Sequence, residues 1–349
     1  MSSEITRERF GQLTKIVHAR ADGRWLILAH DNPDPDALVA ASLLKHLLTQ
    51  AFKLKVTIGY GGLIGRAENR EMVRSLKLKI SHLRHLSLDR YKYFALVDTQ
   101  PKTGNNQLPK GRIPALVFDH HPPRPVLQQV PFADVREDYG ATASILAEYL
   151  ETAEVPLTKA DVTGLIYAIR SETQDFGREF APHDKALYDR YFSKIDKRAL
   201  GRIQNARLPL SYFRNLSEAL HNLESVGNLV ISHLGEVEQP DIVPELADLL
   251  VRLEGKTWAL CTGRFENRVY LSIRTTNTRA EAGNLMSRLV GRRGKGGGHG
   301  MTAGGWVPIT VGYAENPRSL QAQLGRRFAK AMKKNPEKLV TLDLAPEED

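Results

Sequence analysis

At 349 residues the chain exceeds one average domain of roughly 150 residues, so two hydrophobic cores are expected. A hydrophobic fraction of 42% with 26% charged residues excludes a disordered or fibrous chain. The net charge of +9 favours anionic partners such as nucleotides, nucleic acids or other phosphates over cationic ones.

The first ten residues lack the apolar core of a secretory signal, and the longest apolar run, near Ala37–Leu44, is too short to span a bilayer. A cytoplasmic chain without a membrane partner is expected. Its single cysteine, Cys261, can form no internal disulfide and reads as a small core residue in W-A-L-C-T. An N-terminal helical segment leads to the apolar run Arg24–Ala29, a predicted strand that stops at His30. Ala37–Gln50 then repeats apolar residues at helical spacing. Further helices are predicted over Asn69–Leu76 and Ala141–Leu150, and strands over Tyr93–Val97 and Ala115–Phe118. Both strands run directly into polar clusters, V-D-T-Q and F-D-H-H. Strands alternating with helices predict an α/β domain built on a parallel, doubly wound sheet, whose ligands bind beyond the carboxyl ends of the strands. After Asp175–Gly177 the pattern is helical, through His183–Ile195 and on to Leu223. From Leu229 strands and helices resume in L-V-I-S-H-L, Ile242–Leu253, T-W-A-L-C-T and V-Y-L-S-I-R, ending in a basic helix over Leu320–Lys333. The expected division is a first domain over 1–190, a helical connector over 191–225 and a smaller α/β domain over 226–349, with a cleft between the two domains.

The chemistry concentrates at the strand ends. In H-D-N-P-D-P-D, residues 30–36, a loop can turn His30, Asp34 and Asp36 toward one point, with the rings of Pro33 and Pro35 stiffening it. Alone, the segment reads equally as a turn that caps the next helix. Asp98 ends another strand, again a common turn position. Asp119-His120-His121 is more telling, because these groups are costly to desolvate unless paired or metal-bound. Three successive strands thus deliver His and Asp to one sheet edge. Imidazoles with several carboxylates suit Mn²⁺ or Mg²⁺, and also Fe²⁺ or Co²⁺, better than a thiolate-rich zinc site would. Near the C-terminus, Gly296, Gly297 and Gly298 would let backbone N–H groups approach a phosphate. Arg292, Arg293, Lys295 and His299 around them add positive charge.

His30-x-Asn32-Pro33-Asp34-x-Asp36, Val97-Asp98-Thr99 and Asp119-His120-His121 resemble the first three signature motifs of the DHH phosphoesterase superfamily. Gly294–His299 with Ala303-Gly304-Gly305 resembles the glycine-rich G-G-G-H motif of the DHH-associated C-terminal domain. The combination is similar to the RecJ-like branch, and in size to its nanoRNase and pAp-phosphatase group. The G-G-G-H motif separates it from family II pyrophosphatases, whose second domain differs.

The resemblance implies two divalent cations, Mn²⁺ foremost, with Mg²⁺ or Co²⁺ as substitutes. His30 and Asp34 would bind the first, Asp36 and His120 the second, and Asp98 would bridge them. His121 would face the substrate phosphate and assist protonation of the leaving group. The fourth family motif usually supplies another aspartate ligand, where this chain has Ser171-Glu172-Thr173. Glu172, or Asp175 nearby, would take that place. Arg274 stands where the family often has a substrate-binding arginine, and an ordinary surface arginine is the equal alternative.

An aromatic content of 7% without a stacking stripe favours a short oligonucleotide or nucleotide over a long single strand. The expected activity is metal-dependent hydrolysis of nanoRNA, linear dinucleotides or pAp. Polyphosphate or pyrophosphate hydrolysis, and nucleotide binding with weak turnover, are the alternatives. Homodimer formation is left open.

Overall fold

The structure, a computed structural model, describes residues 4–177, 180–309 and 316–343. The chain divides into two compact units, Met1–Ala206 and Arg207–Asp349.

In the first unit, helix α1 (Glu4–His18) precedes strand β1 (Trp25–Leu28), α2 (Pro35–Gln50), β2 (Val56–Tyr60), α3 (Ala67–Ser75) and β3 (Ile80–His82). Three strands follow, β4 (Tyr93–Val97), β5 (Leu116–Asp119) and β6 (Phe132–Val135). Four helices end the unit: α4 (Thr142–Thr152), α5 (Lys159–Thr173), α6 (Pro182–Tyr191) and α7 (Lys197–Gln204). The strands form a wholly parallel six-stranded sheet in the order β3-β2-β1-β4-β5-β6. The order therefore runs outward from β1 in one direction and from β4 in the other. The reversal between these two neighbours makes the crevice beyond their carboxyl ends the expected ligand site.

β1 is W-L-I-L because both of its faces are covered. Trp25 and Ile27 join the core beneath α2, α4 and α5, while Leu26 and Leu28 join Leu83, Tyr91, Phe94, Leu96 and Val117 on the opposite face. That second face is covered by single 3₁₀ turns such as Leu83–His85, Leu88–Arg90 and Pro125–Gln129. The connections after β3, β4 and β5 contain no α-helix among the described residues. β2, β3, β6 and α5 carry patterns too weak to assign from sequence. α5 is nonetheless well specified locally: Thr158 and Asp161 form a reciprocal capping box at its start.

The second unit contains α8 (Leu210–His221), β7 (Leu223–Val226), β8 (Leu229–Glu236), α9 (Ile242–Leu250), β9 (Trp258–Phe265) and β10 (Arg268–Thr275). α10 (Ala282–Val290), β11 (Lys295–His299), β12 (Thr302–Pro308), α11 (Pro317–Ala331) and β13 (Val340–Thr341) follow. Its mixed sheet has the order β11-β12-β10-β9-β8-β7-β13, with β8 and β9 parallel. α10 and α11 cover one face, and α8 and α9 the other, where Cys261 is buried as its apolar surroundings require. Among the described residues no helix is long and apolar enough to cross a membrane.

One helix–strand contact in this unit demands glycine. A Cβ on Gly283 in α10 would stand 1.9 Å from the carbonyl oxygen of Gly298 in β11. Backbone cannot yield as a flexible side chain can, so Gly283→Ala is expected to destabilise the second unit by about 1–3 kcal/mol. Thermal unfolding of the full chain checks this, and an unchanged Tm would show that the two elements separate at little cost.

Candidate metal centre

Three loops meet at the carboxyl edge of the first sheet. The loop after β1 carries His30 and Asp34, and Asp34 is also the N-cap of α2, accepting from the Ala37 N–H at 3.0 Å. The turn and ligand readings of this segment are therefore compatible, because one carboxylate oxygen caps while the other faces His30. Asp98 follows β4 with φ 56°, and Asn32 in the first loop has φ 57°. Asn and Asp tolerate this left-handed region better than other side-chain-bearing residues do. The loop after β5 carries His120 and His121.

The side chains converge on Asp98, which is 2% exposed. His30 Nε2 lies 3.4 Å from Asp98 Oδ2 and 3.6 Å from Asp34 Oδ2. His120 Nε2 lies 3.5 Å from Asp98 Oδ1 and 4.0 Å from Asp36 Oδ2. His121 Nδ1 lies 3.6 Å from Asp98 Oδ1. Two groups able to hold a metal ion result, His30–Asp34–Asp98 and Asp98–His120–His121, sharing Asp98.

Both ligand imidazoles are oriented from behind. His30 Nδ1 donates to the Asp31 carbonyl at 2.9 Å and His120 Nδ1 to the Tyr139 carbonyl at 3.1 Å. A carbonyl only accepts, so each Nδ1 carries a proton, which leaves Nε2 as the ring nitrogen that faces the cluster and that would ligate a cation once deprotonated. His120 Nε2 is buried without a hydrogen-bond partner, a cost that a cation would remove. The N and O donor set fits Mn²⁺, Mg²⁺ or Co²⁺.

Asp36, in the first turn of α2, is fully buried against the N-terminus of α4, accepting from the backbone N–H groups of Thr142 at 2.7 Å and Ala143 at 2.8 Å. The Thr142 hydroxyl donates to Asp98 Oδ1 at 2.9 Å. Burial, and next the negative charge of Asp98, push the Asp36 carboxyl well above the usual range. Burial also opposes the ionisation of Asp98, but the hydrogen bond from His30 and the charges of His121 and His120 hold it below its ordinary value. For His30 burial acts downward, and the bonds and charges of Asp34 and Asp98 outweigh it. Closely spaced buried acids of this kind are what a divalent cation neutralises.

Glu172, in the last turn of α5, belongs to the same electrostatic cluster. Burial, followed by the charges of Asp34 and Asp98, raises it to about 8. Gln174, Asp175 and Phe176 are all left-handed, a turn costing about 1–2 kcal/mol per residue that ends α5 at Thr173, one residue after Glu172. Asp175 is exposed and ion-paired with Arg170, away from ligand duty.

Asp119 faces inward from its motif but is consumed by orientation. It accepts from His121 Nδ1 at 2.8 Å, the His120 N–H at 2.9 Å and Gln100 Nε2 at 2.8 Å. Gln100, Thr142 and this role of Asp119 escape a reading of the sequence, since each depends on partners from another strand. Gly62 after β2, with φ 67°, abuts the first loop, and a Cβ there would stand 2.9 Å from the Asn32 backbone nitrogen. Gly62→Ala should displace the 30–36 loop and weaken Mn²⁺ binding by about tenfold or more, the usual cost of disturbing ligand support. A Mn²⁺ titration with wild-type affinity would contradict this.

The other candidate residues lie in the second unit. Gly296, Gly297 and Gly298 belong to edge strand β11 paired with β12. Glycine is needed there for close approach: Cβ atoms would come within 2.8 Å of Met286 at Gly296 and 2.3 Å of the Thr302 carbonyl at Gly298. Only the Gly297 position faces open space. Register places His299 opposite Thr302 and Thr302 opposite Arg274, so both candidates share one end of the sheet; the His299 side chain lies outside the described residues. Arg274 is not a free surface arginine, because its Nε pairs with Asp248 at 2.5 Å and NH1 donates to Ser272 Oγ at 2.8 Å.

Comparison with known proteins agrees with this architecture. An uncharacterized protein of Methanocaldococcus jannaschii is 32% identical over 289 residues, 82% of this chain, and the chain spans 58% of that relative's length. An exopolyphosphatase-related protein from Bacteroides fragilis matches with a TM-score of 0.71 at 15% identity, over 94% of this chain and 98% of that one. RecJ in complex with Mn²⁺ from Thermus thermophilus matches with a TM-score of 0.55 at 15% identity, over 95% of this chain and 55% of that one. These likenesses show the fold. Residues 24–169, which carry His30, Asp34, Asp36, Asp98, His120 and His121, match the DHH family, N-terminal domain, and over that stretch the chain is similar to the DHH family.

Proposed function

We propose that the chain is a metal-dependent phosphoesterase acting on nanoRNA, linear dinucleotides or pAp through two divalent cations, Mn²⁺ foremost. The observation that carries the reading is the position of Asp98, whose two carboxylate oxygens face different imidazoles, Oδ2 toward His30 and Oδ1 toward His120. His30 and Asp34 would hold one cation, Asp36 and His120 the other, with Glu172 at the periphery. Divalent cations in such a cluster supply Lewis-acid polarisation of the phosphoryl group and neutralise developing charge.

Hydrolysis adds water across a P–O ester bond, so the leaving oxygen must gain a proton. His121 is suited to give it: Asp119 holds its Nδ1 and keeps the ring oriented, as an orienting carboxylate does for a general acid. Burial acts to lower the His121 pKa, but the Asp119 hydrogen bond and the charges of Asp98 and Asp119 raise it to about 10. The ring is 38% exposed, open enough for a substrate to meet. Arg274, Gly296, Gly297, Gly298 and His299 are assigned to substrate binding, with Arg274 exchanging its bond to Asp248 for a substrate anion.

The test is hydrolysis of pAp, 5′-phosphorylated dinucleotides, a cyclic dinucleotide, a longer single strand and polyphosphate, with Mn²⁺, Mg²⁺ or EDTA. Turnover of the short nucleotides that EDTA abolishes is expected. Turnover of polyphosphate alone would move the substrate class, and a folded chain that binds nucleotides without turnover under any metal would overturn the enzyme reading.

A further inference from the structure

Behind His120, on the side away from Asp98, lies a buried polar network that the proposed chemistry does not use. Asp134, Arg136 and Glu148 are 1%, 7% and 2% exposed. Arg136 grips Asp134 bidentately, with Nε at 3.0 Å and NH2 at 2.7 Å, and its NH1 donates to Glu148 at 3.2 Å and to the Tyr139 hydroxyl at 3.1 Å. Tyr139 in turn donates to Glu148 at 2.9 Å, and Tyr149 to Asp134 at 2.6 Å. Thr6 brings in α1, donating to Glu148 at 2.5 Å while accepting from Arg136 at 2.9 Å. The ring of His183 stacks on Tyr139 with centroids 5.3 Å apart, its Nδ1 3.2 Å from Glu148.

Stability alone does not account for such a network, since well-packed apolar side chains often replace buried ion pairs without loss. It reaches the candidate metal centre through the Tyr139 carbonyl, which accepts the His120 Nδ1–H. The same turn is pinned at two further points: the Arg136 N–H donates to the Asp119 carbonyl at 3.0 Å, and the Gly140 N–H to Asp184 at 2.7 Å.

We propose that Arg136, Glu148 and the Tyr139 hydroxyl are positioning residues for His120, holding the Tyr139 carbonyl where it keeps the imidazole in its Nδ1–H form and aims Nε2 at the cation shared with Asp36 and Asp98. The inference rests on the two-cation reading above. It makes the network a determinant of affinity for one cation and not for its neighbour on the His30 side.

The experiment is Mn²⁺ binding to the full chain, followed by calorimetry and by the EPR signal of free Mn²⁺, for wild type, Tyr139→Phe, Glu148→Gln, His120→Ala and the double variants with His120→Ala. Tyr139→Phe and Glu148→Gln are near-isosteric, so one remains informative if the other fails to fold. Each is expected to weaken one of two bound Mn²⁺ ions by about 10–100-fold, the usual effect of losing a ligand's outer partner, and to leave the other within about threefold. In the His120→Ala background neither should weaken binding further, because the ligand they position is gone. Leu47→Ala, a core truncation at the far end of α2, should lower Tm without changing either affinity. Equal weakening of both ions, unchanged affinities, or effects that persist in the His120→Ala background would overturn the positioning role. A wild-type chain that binds fewer than two Mn²⁺ would instead overturn the two-cation reading on which it rests.

Discussion

Asp98→Ala is expected to abolish turnover of the short-nucleotide panel, lowering kcat/KM by about 10³-fold or more, because among the described residues no other side chain takes part in both ligand groups. Removing a peripheral ligand such as Asp34 takes one oxygen from one group. Removing Asp98 takes Oδ2 from opposite His30, Oδ1 from opposite His120 and the acceptor of the Thr142 hydroxyl. In the proposed mechanism several kcal/mol of transition-state stabilisation would depend on those cations, and each step of about 1.4 kcal/mol is tenfold in rate. Asp98→Asn separates charge from shape: it keeps one oxygen but loses the carboxylate that a bridging role needs, so it should resemble Ala. Mn²⁺ titration and a far-UV spectrum accompany the kinetics. A variant that is folded, binds two Mn²⁺ and retains a tenth of wild-type activity would remove Asp98 from the centre of the mechanism.

His121→Asn is expected to lower kcat by about 10²–10⁴-fold, the range associated with a positioned proton donor, while Mn²⁺ affinity stays within about threefold of wild type. His121 stands apart from the two other histidines of the cluster. Their Nδ1 atoms are tied to backbone carbonyls and their Nε2 atoms aimed at Asp98, whereas the His121 Nδ1 is held by the Asp119 carboxylate and its ring is the most exposed of the three. That pattern suits the proton donor proposed above better than a ligand. A substrate with a good leaving group, such as a p-nitrophenyl phosphoester, supplies the control: it needs little protonation, so the defect should shrink by about tenfold or more. Mn²⁺ affinity falling as steeply as in His120→Ala would make His121 a ligand and assign the proton elsewhere.

Much of this protein is determined by local sequence. The runs W-L-I-L, F-A-L-V and L-V-F are strands because every side chain in them is apolar and both sheet faces are covered, and His30, Asp98 and Asp119 stand at or just beyond their ends. Asp34 before Pro35 starts α2 on capping chemistry alone. The motifs sufficed to identify the metal-binding candidates and the family. Other features waited for the tertiary structure, because they are relations between segments far apart in the chain. Strand order placed β4 beside β1, and only then did one carboxylate of Asp98 come to serve two histidines from different loops. Asp36 meets α4 across 106 residues, and Thr6 meets Glu148 across 142. Neither pairing leaves a periodic trace in sequence. The glycine run near the C-terminus reads as backbone open to a phosphate until Gly283 and Met286 are seen packed against it, making it a strand crowded against a Cβ at two of its three positions. Periodicity reports which face of an element is buried, and composition reports what a loop can bind. Which loops share a ligand is decided by the order in which the strands pair.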